Sequence, residues 1–272
     1  MSAGLWLGVL FVAASPRAPD PMDRVVADVK AGRPLVAHVV VALCDNDHQW
    51  IVPVPRALGD GADPRSNLYW GARFGVKAFL ARAPGWHLRA TVAAPRPGVL
   101  ERVVLTTDIR RDGRAAVLNV VAEAWEGRRM NEAVLAFLEA ASGRAAETVH
   151  VDGADIDGGG ASHVVVFVGH NGLMDFSAPS VPAGAAEPTR AAMVLACASA
   201  PYFTSLLQRA AARPVLLTHG LMAPEAYTLE AALRAYFAGA PVADAAAGAY
   251  DRYQHCGLAA ARRLFRDTGT TP

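Results

Sequence analysis

Four apolar runs constrain this chain more than anything else in it. Pro34 to Leu43, His163 to Val168, Ala191 to Leu195 and Pro214 to Thr218 are short, rich in valine, alanine and leucine, and bounded by turn formers. Runs of that length without polar alternation read as strands buried on both faces, the pattern of a parallel sheet. Helical spacing recurs between them, over Met22 to Lys30, Asn67 to about Ala81, Met130 to Ala141, Tyr202 to Ala212 and Pro224 to Ala238. Strands alternating with helices predict an α/β fold: a three-layer sandwich with a mostly parallel sheet and helices on both faces. The segment from His87 to Ala93 alternates and reads as a further strand. Val99 to Thr106 and Ala115 to Ala122 are two more, joined by the hairpin signal Arg111-Asp112-Gly113. Ile51 to Asn67, with Pro53, Pro55 and Pro64, is expected to be a long loop, with Asn67 capping the helix that follows. Gly153 to Gly160 reads as a turn-rich connector.

Composition bounds the rest. At 272 residues with 53% hydrophobic and 19% charged side chains, the chain has ample material for one large core and no case for disorder. Basic and acidic residues nearly cancel, 26 against 25, so nothing in the balance calls for nucleic acid or an anionic membrane. Leu5 to Ala14 is apolar but shorter than the roughly 20 residues a membrane-spanning helix needs. Its length, and the small residues after it, suit the core of a signal peptide over residues 1–15 and so export to the periplasm or beyond; a buried first strand in a cytoplasmic protein is the other reading. Residues 16–33 are then a lead-in, and 34–272 one domain. Cys44, Cys197 and Cys256 are an odd number, which in an exported protein leaves at least one thiol unpaired. A Cys44–Cys256 bridge would leave Cys197 free. No metal or other cofactor is expected, because CxxC, HExxH and zinc-type ligand spacings are missing.

In an open parallel sheet, ligands and catalytic groups gather at the carboxyl ends of the strands. Asp45, His170, Cys197 and His219 each follow such an end. A thiol becomes a strong nucleophile when ionised, and an imidazole within reach can take its proton and return it to a leaving group. Asp45, Asp47, Asp175 and Glu225 are carboxylates near the same rim, candidates to line a pocket for a basic substrate side chain. The plainer reading of Asp45 and Asn46 is that they cap the next turn.

An apolar strand ending in Gly169-His170, followed by a second ending in Ala196-Cys197, resembles the caspase-fold cysteine peptidases, and within them the clostripain-like and gingipain-like branches. Asp45-Asn46-Asp47 after the first strand is similar to the Asp- and Asn-rich strand end of the clostripain-like enzymes. The resemblance covers Pro34 to about Ala238 and implies a caspase-like sheet. It also implies His170 as general base, Cys197 as nucleophile, Gly172 as the oxyanion glycine, and a peptide or protein as substrate. Three features depart from the pattern. Asn171 separates His170 from Gly172, Met193-Val194-Leu195 stands where an acidic residue often precedes the Ala-Cys pair, and His170 and Cys197 are only 27 residues apart. These departures motivate a rival expectation, a binding module on the same scaffold with a degenerate site. His219, followed directly by Gly220, is an alternative partner for the thiol. Another α/β hydrolase or transferase has no Gly-x-Ser-x-Gly elbow or phosphate-binding loop here to support it.

Overall fold

The computed structural model describes residues 20–180, 183–184 and 190–265. The possible leader over residues 1–15 lies outside the described residues. Helix α1, Pro21–Lys30, begins where the sequence places it and has a complete start: Asp20 accepts a hydrogen bond from the Met22 amide at 2.9 Å, and proline opens the first turn. The first apolar run becomes β1, Leu35–Ala42, with every residue buried.

Short helix α2, Val76–Leu80, follows the long loop. Three strands come next: β2 (Trp86–Arg96), β3 (Val99–Arg111) and β4 (Arg114–Trp125). Helix α3, Met130–Ala141, leads to a hairpin of β5 (Ala146–Val151) and β6 (Ala154–Gly159). The remaining parallel strands are β7 (Val164–Val168), β8 (Arg190–Leu195) and β9 (Ala212–Leu216), with α4 (Ser199–Arg209) between the last two. Helices α5 (Ala226–Ala238), α6 (Val242–Gln254) and α7 (Leu258–Leu264) close the described chain.

Among the described residues seven strands form the main sheet in the order β2-β3-β4-β1-β7-β8-β9, while β5 and β6 form a small separate sheet. The five strands from β4 to β9 are parallel neighbours, and β2 and β3 are added antiparallel at one edge. Successive strand residues face opposite sides, so β1 feeds two cores at once. Leu35, Ala37, Val39 and Val41 join buried residues of α1, α2, α5, α6 and α7. Val40 and Ala42 join α3 and α4 on the other face. The β5–β6 hairpin extends this second face, with Val149, Val151 and Ile156 over Val36, Val104 and Val121. The expected helical layers on both sides of a mostly parallel sheet are therefore present. No helix among the described residues is long and apolar enough to cross a membrane.

Two expectations need correction. The helix predicted from Asn67 to about Ala81 is reduced to Val76–Leu80. Gly71 and Gly75 sit so close to backbone of Pro64, Arg65 and Trp70 that a Cβ on either would collide, which marks a folded-back loop. Asn67 is a buried clamp, accepting from the Cys44 and Tyr69 amides and donating to the Cys44 and Asp60 carbonyls. The connector expected over 153–160 is half of the β5–β6 hairpin. Its turn, Asp152-Gly153, has φ of 50° and 77°, the left-handed pair of a type I′ hairpin.

Candidate active site

The strand order reverses at β1, whose two parallel neighbours are β4 and β7. Such a reversal opens a crevice at the carboxyl ends of the diverging strands. Two loops, after β1 and after β7, border it.

After β7 the chain turns through Gly169, whose φ of 151° and close approach to the Ala42 carbonyl leave no room for a side chain. His170 is buried, and its Nε2 lies 2.7 Å from Asp175 Oδ2. A carboxylate accepts, so the ring proton belongs on Nε2 and the Nδ1 lone pair is left as the basic site. Nδ1 has no hydrogen-bond partner among the described residues. Asp175 also accepts from the Trp50 amide at 3.4 Å, which ties the loop after β1 to the histidine.

After β8 the chain makes a tight strand-to-helix turn. Cys197 is half-buried, and Ala198, next to it, adopts φ 45°, a left-handed conformation that costs a non-glycine residue about 1–2 kcal/mol. The turn is held by polar bonds to the end of β9. The Ala198 amide donates to the Gly220 carbonyl at 2.8 Å and the Ala200 amide to the Thr218 carbonyl at 3.0 Å. Ser199 Oγ and the Thr218 side chain cross-bond to one another's amides at 2.9 and 3.0 Å, and Thr218 also donates to the Ala196 carbonyl. The Cys197 Sγ rests against Met222, 3.4 Å from both its amide nitrogen and its carbonyl oxygen.

The two loops are joined by Asn171. Its side-chain amide donates to the Cys197 carbonyl at 2.8 Å, and its Oδ1 accepts from Leu173. The residue that interrupts the His-Gly pattern is thus the strut between the histidine loop and the cysteine turn. Gly172 is buried, and its N–H donates to the His170 carbonyl at 3.1 Å, so that amide is already used within the fold. The Cys197 amide has no acceptor among the described residues. No hydrogen bond joins the thiol to the imidazole, a contact that can form on substrate binding.

Two of the other carboxylates are spent on structure. Buried Asp45 accepts from the Asp47 and His48 amides and from the His48 ring at 3.0 Å. Glu225 accepts from the Tyr227 hydroxyl at 2.7 Å and Gln254 at 3.0 Å; burial raises its pKa against the pull of those two bonds. Asp47 is exposed, in an open groove with Asp45, Asp60, Glu126, Arg56 and Arg128. The His219 amide binds the Leu264 carbonyl at 3.0 Å, tying that loop to α7. All three cysteines are free: Cys44 is buried, which pushes its thiol up to about 11, and Cys256 is exposed.

One donor cluster escapes spacing rules because the sheet assembles it. His38 on β1, Glu123 on β4 and Glu147 on β5 bring ligand atoms within 4.8 Å of one another. Both carboxylates already bind Arg102, and Glu123 also binds Arg96. Burial alone would raise the pKa of Glu123, but His38 and Arg96 outweigh it and hold the carboxyl well below its usual range. Two guanidinium groups supply the charge a metal would bring, and the cluster pins the β5–β6 hairpin to the sheet.

No protein-family model, curated protein or solved structure matches the chain. What the rim can do follows from its own donors and acceptors.

Proposed function

We propose that the chain is a caspase-fold cysteine hydrolase, most plainly a peptidase, in which Cys197 is the nucleophile, His170 the general base and Asp175 the residue that orients the imidazole. One observation carries this reading: His170 has Nε2 tied to a carboxylate and Nδ1 uncommitted, at the strand end beside the one that presents a half-buried cysteine. Asp175, a pocket candidate on sequence alone, fits better as the third member of the constellation. The placement of histidine and cysteine after adjacent parallel strands also supports the resemblance to caspase-fold enzymes.

In this mechanism His170 Nδ1 takes the Cys197 proton as sulfur attacks the substrate carbonyl carbon. The C–N bond then breaks, and the imidazolium returns the proton to the leaving amine. Water, deprotonated by the same nitrogen, hydrolyses the thioester and restores the thiol. The Cys197 amide is the available oxyanion donor, whereas the Gly172 amide would first have to leave the His170 carbonyl.

Alkylation of Cys197 by iodoacetamide, followed against pH by mass spectrometry, tests the pair. Rapid reaction at neutral pH that collapses in His170→Ala is the expected result. A slow reaction indifferent to the histidine would overturn the proposal. It would favour the second reading, a non-catalytic binding module, which the docking of Sγ onto the Met222 backbone supports.

A further inference from the structure

The rim around His170 and Cys197 carries large apolar side chains that the fold does not use. Trp50 is 89% exposed and Leu221 78%, and Met174 and Tyr202 are also exposed. Large apolar side chains gathered on one face mark a binding surface, whereas single ones scattered over a protein are ordinary. These are not scattered. The Trp50 amide is bonded to Asp175, the partner of His170. Leu221 lies between Gly220, whose carbonyl holds Ala198, and Met222, whose backbone holds the Cys197 sulfur. Met174 and Tyr202 line an open groove together with Asp175. Each arm of the pair therefore displays its own exposed apolar group.

A basic side chain finds no comparable welcome at this point. The Asp45, Asp175 and Glu225 carboxylates each hold internal donors, and exposed Asp47 opens onto a different groove that Arg56 and Arg128 already neutralise in part. A cation drawn to any of the first three would share the carboxylate with hydrogen bonds that shape the loop, which weakens its hold.

We infer that this site selects peptides with a large aliphatic or aromatic side chain beside the scissile bond, Trp50 and Leu221 being the specificity-determining contacts; the inference rests on the peptidase reading above. It is separable from that reading, because iodoacetamide needs no side-chain pocket. Peptidyl acyloxymethyl ketones do: the thiolate forms a C–S bond at the methylene carbon and expels the carboxylate.

The experiment compares labelling of Cys197 by iodoacetamide with labelling by ketone probes carrying Phe, Leu, Arg, Lys or Asp at the terminal position. Phe and Leu probes are expected to react at least about 10-fold faster than the charged ones. Trp50→Ala and Leu221→Ala should each remove roughly 10-fold from that rate while leaving the iodoacetamide rate and the melting temperature unchanged. A fastest reaction with the Arg or Lys probe, lost in Asp47→Asn, would overturn the inference in favour of the acidic groove. His170-dependent alkylation without discrimination among peptides would overturn it and leave the catalytic pair standing. Slow alkylation that ignores His170 would sink both.

Discussion

Strand β7 is bracketed by two histidine–carboxylate pairs. At its amino end His163 Nε2 lies 2.8 Å from Asp28, and at its carboxyl end His170 Nε2 lies 2.7 Å from Asp175. Both histidines are buried. They differ at the other nitrogen. His163 Nδ1 accepts from the Val36 amide at 3.1 Å, so its ring is a closed link between α1, β1 and β7. His170 Nδ1 has no such partner among the described residues and sits at the carboxyl ends of the strands, where crevices form. An imidazole with both nitrogens committed holds a fold together, and one with a spare lone pair can move a proton. Similar residue types, one strand apart in position, thus differ by a single hydrogen bond, and the proposed function rests on that difference.

The largest expected effect tests the carboxyl end. If His170 is the base proposed above, His170→Ala should lower the neutral-pH alkylation rate of Cys197, and any turnover, by about 10²–10⁴-fold. The melting temperature should move by no more than a few degrees. Equal loss of rate in His163→Ala, with its fold intact, would break the comparison. Asp175→Asn comes next. An amide can offer its NH₂ to the ring and so favour the wrong tautomer, and a fall of about 10²-fold or more in rate is expected. The matched Asp28→Asn should leave the rate alone.

The reverse pattern is expected at the amino end. His163→Ala strands the Val36 amide inside the protein and takes one donor from Asp28, which keeps Arg33. A buried group left unpaired costs about 1–3 kcal/mol, to which the space vacated by the ring adds. A loss of about 3 kcal/mol should appear as a drop of roughly 6–12 °C in melting temperature, since about 1 kcal/mol moves a chain of this size by 2–4 °C. The alkylation rate at 25 °C should stay within a factor of two or so of the parent value. A stable His163→Ala with sluggish Cys197 would show that the two ends of β7 are not independent.

The asymmetry between the pairs was partly visible in the sequence. The valine runs, their turn-forming ends and the helical stretches between them place β1, β7 and β8 and helices α1, α3, α4 and α5, because a strand buried on both faces has no polar alternation to confuse the pattern. Strand β9, half-buried at the sheet edge, starts two residues before its run and stops two short of the run's end. His170 and Cys197 stand out for the same reason: they interrupt the first positions after such runs. Asp28 and Asp175 were not assignable as partners. One pairs across 135 residues through a tertiary contact, and the other pairs through the shape of a short loop. Nor could spacing show His38, Glu123 and Glu147 together, since they lie on three strands from two sheets. The β5–β6 hairpin carries a local signal that the surrounding glycines obscure: Asp152-Gly153 between Val149, Val151 and Ile156 is a type I′ turn in an otherwise polar stretch. Asn67 looked like a helix cap because asparagine caps helices often, yet its side chain closes the loop behind Cys44 instead.

The smallest effect sharpens the comparison through pH. Burial, reinforced by nearby Arg24, lowers the His163 pKa to about 4, against the opposing pull of Asp28. In the unfolded chain the same ring titrates near its ordinary value of about 6.5. Between those two values the unfolded state binds the extra proton and the folded state does not, so stability falls as the pH falls. The loss attributable to His163 between pH 7 and pH 5 is about 2 kcal/mol. Asp28, whose carboxyl is also held low although burial opposes this, adds its own loss further down, below the usual carboxylate range. Urea midpoints measured at pH 7 and pH 5 read the first window alone. In His163→Gln the amide can still accept from Val36 and donate to Asp28 but cannot take a proton, so the difference between the two midpoints should shrink although the variant is less stable overall. An undiminished difference would place the acid sensitivity elsewhere, and His163 would then be a linker without a titration to hide.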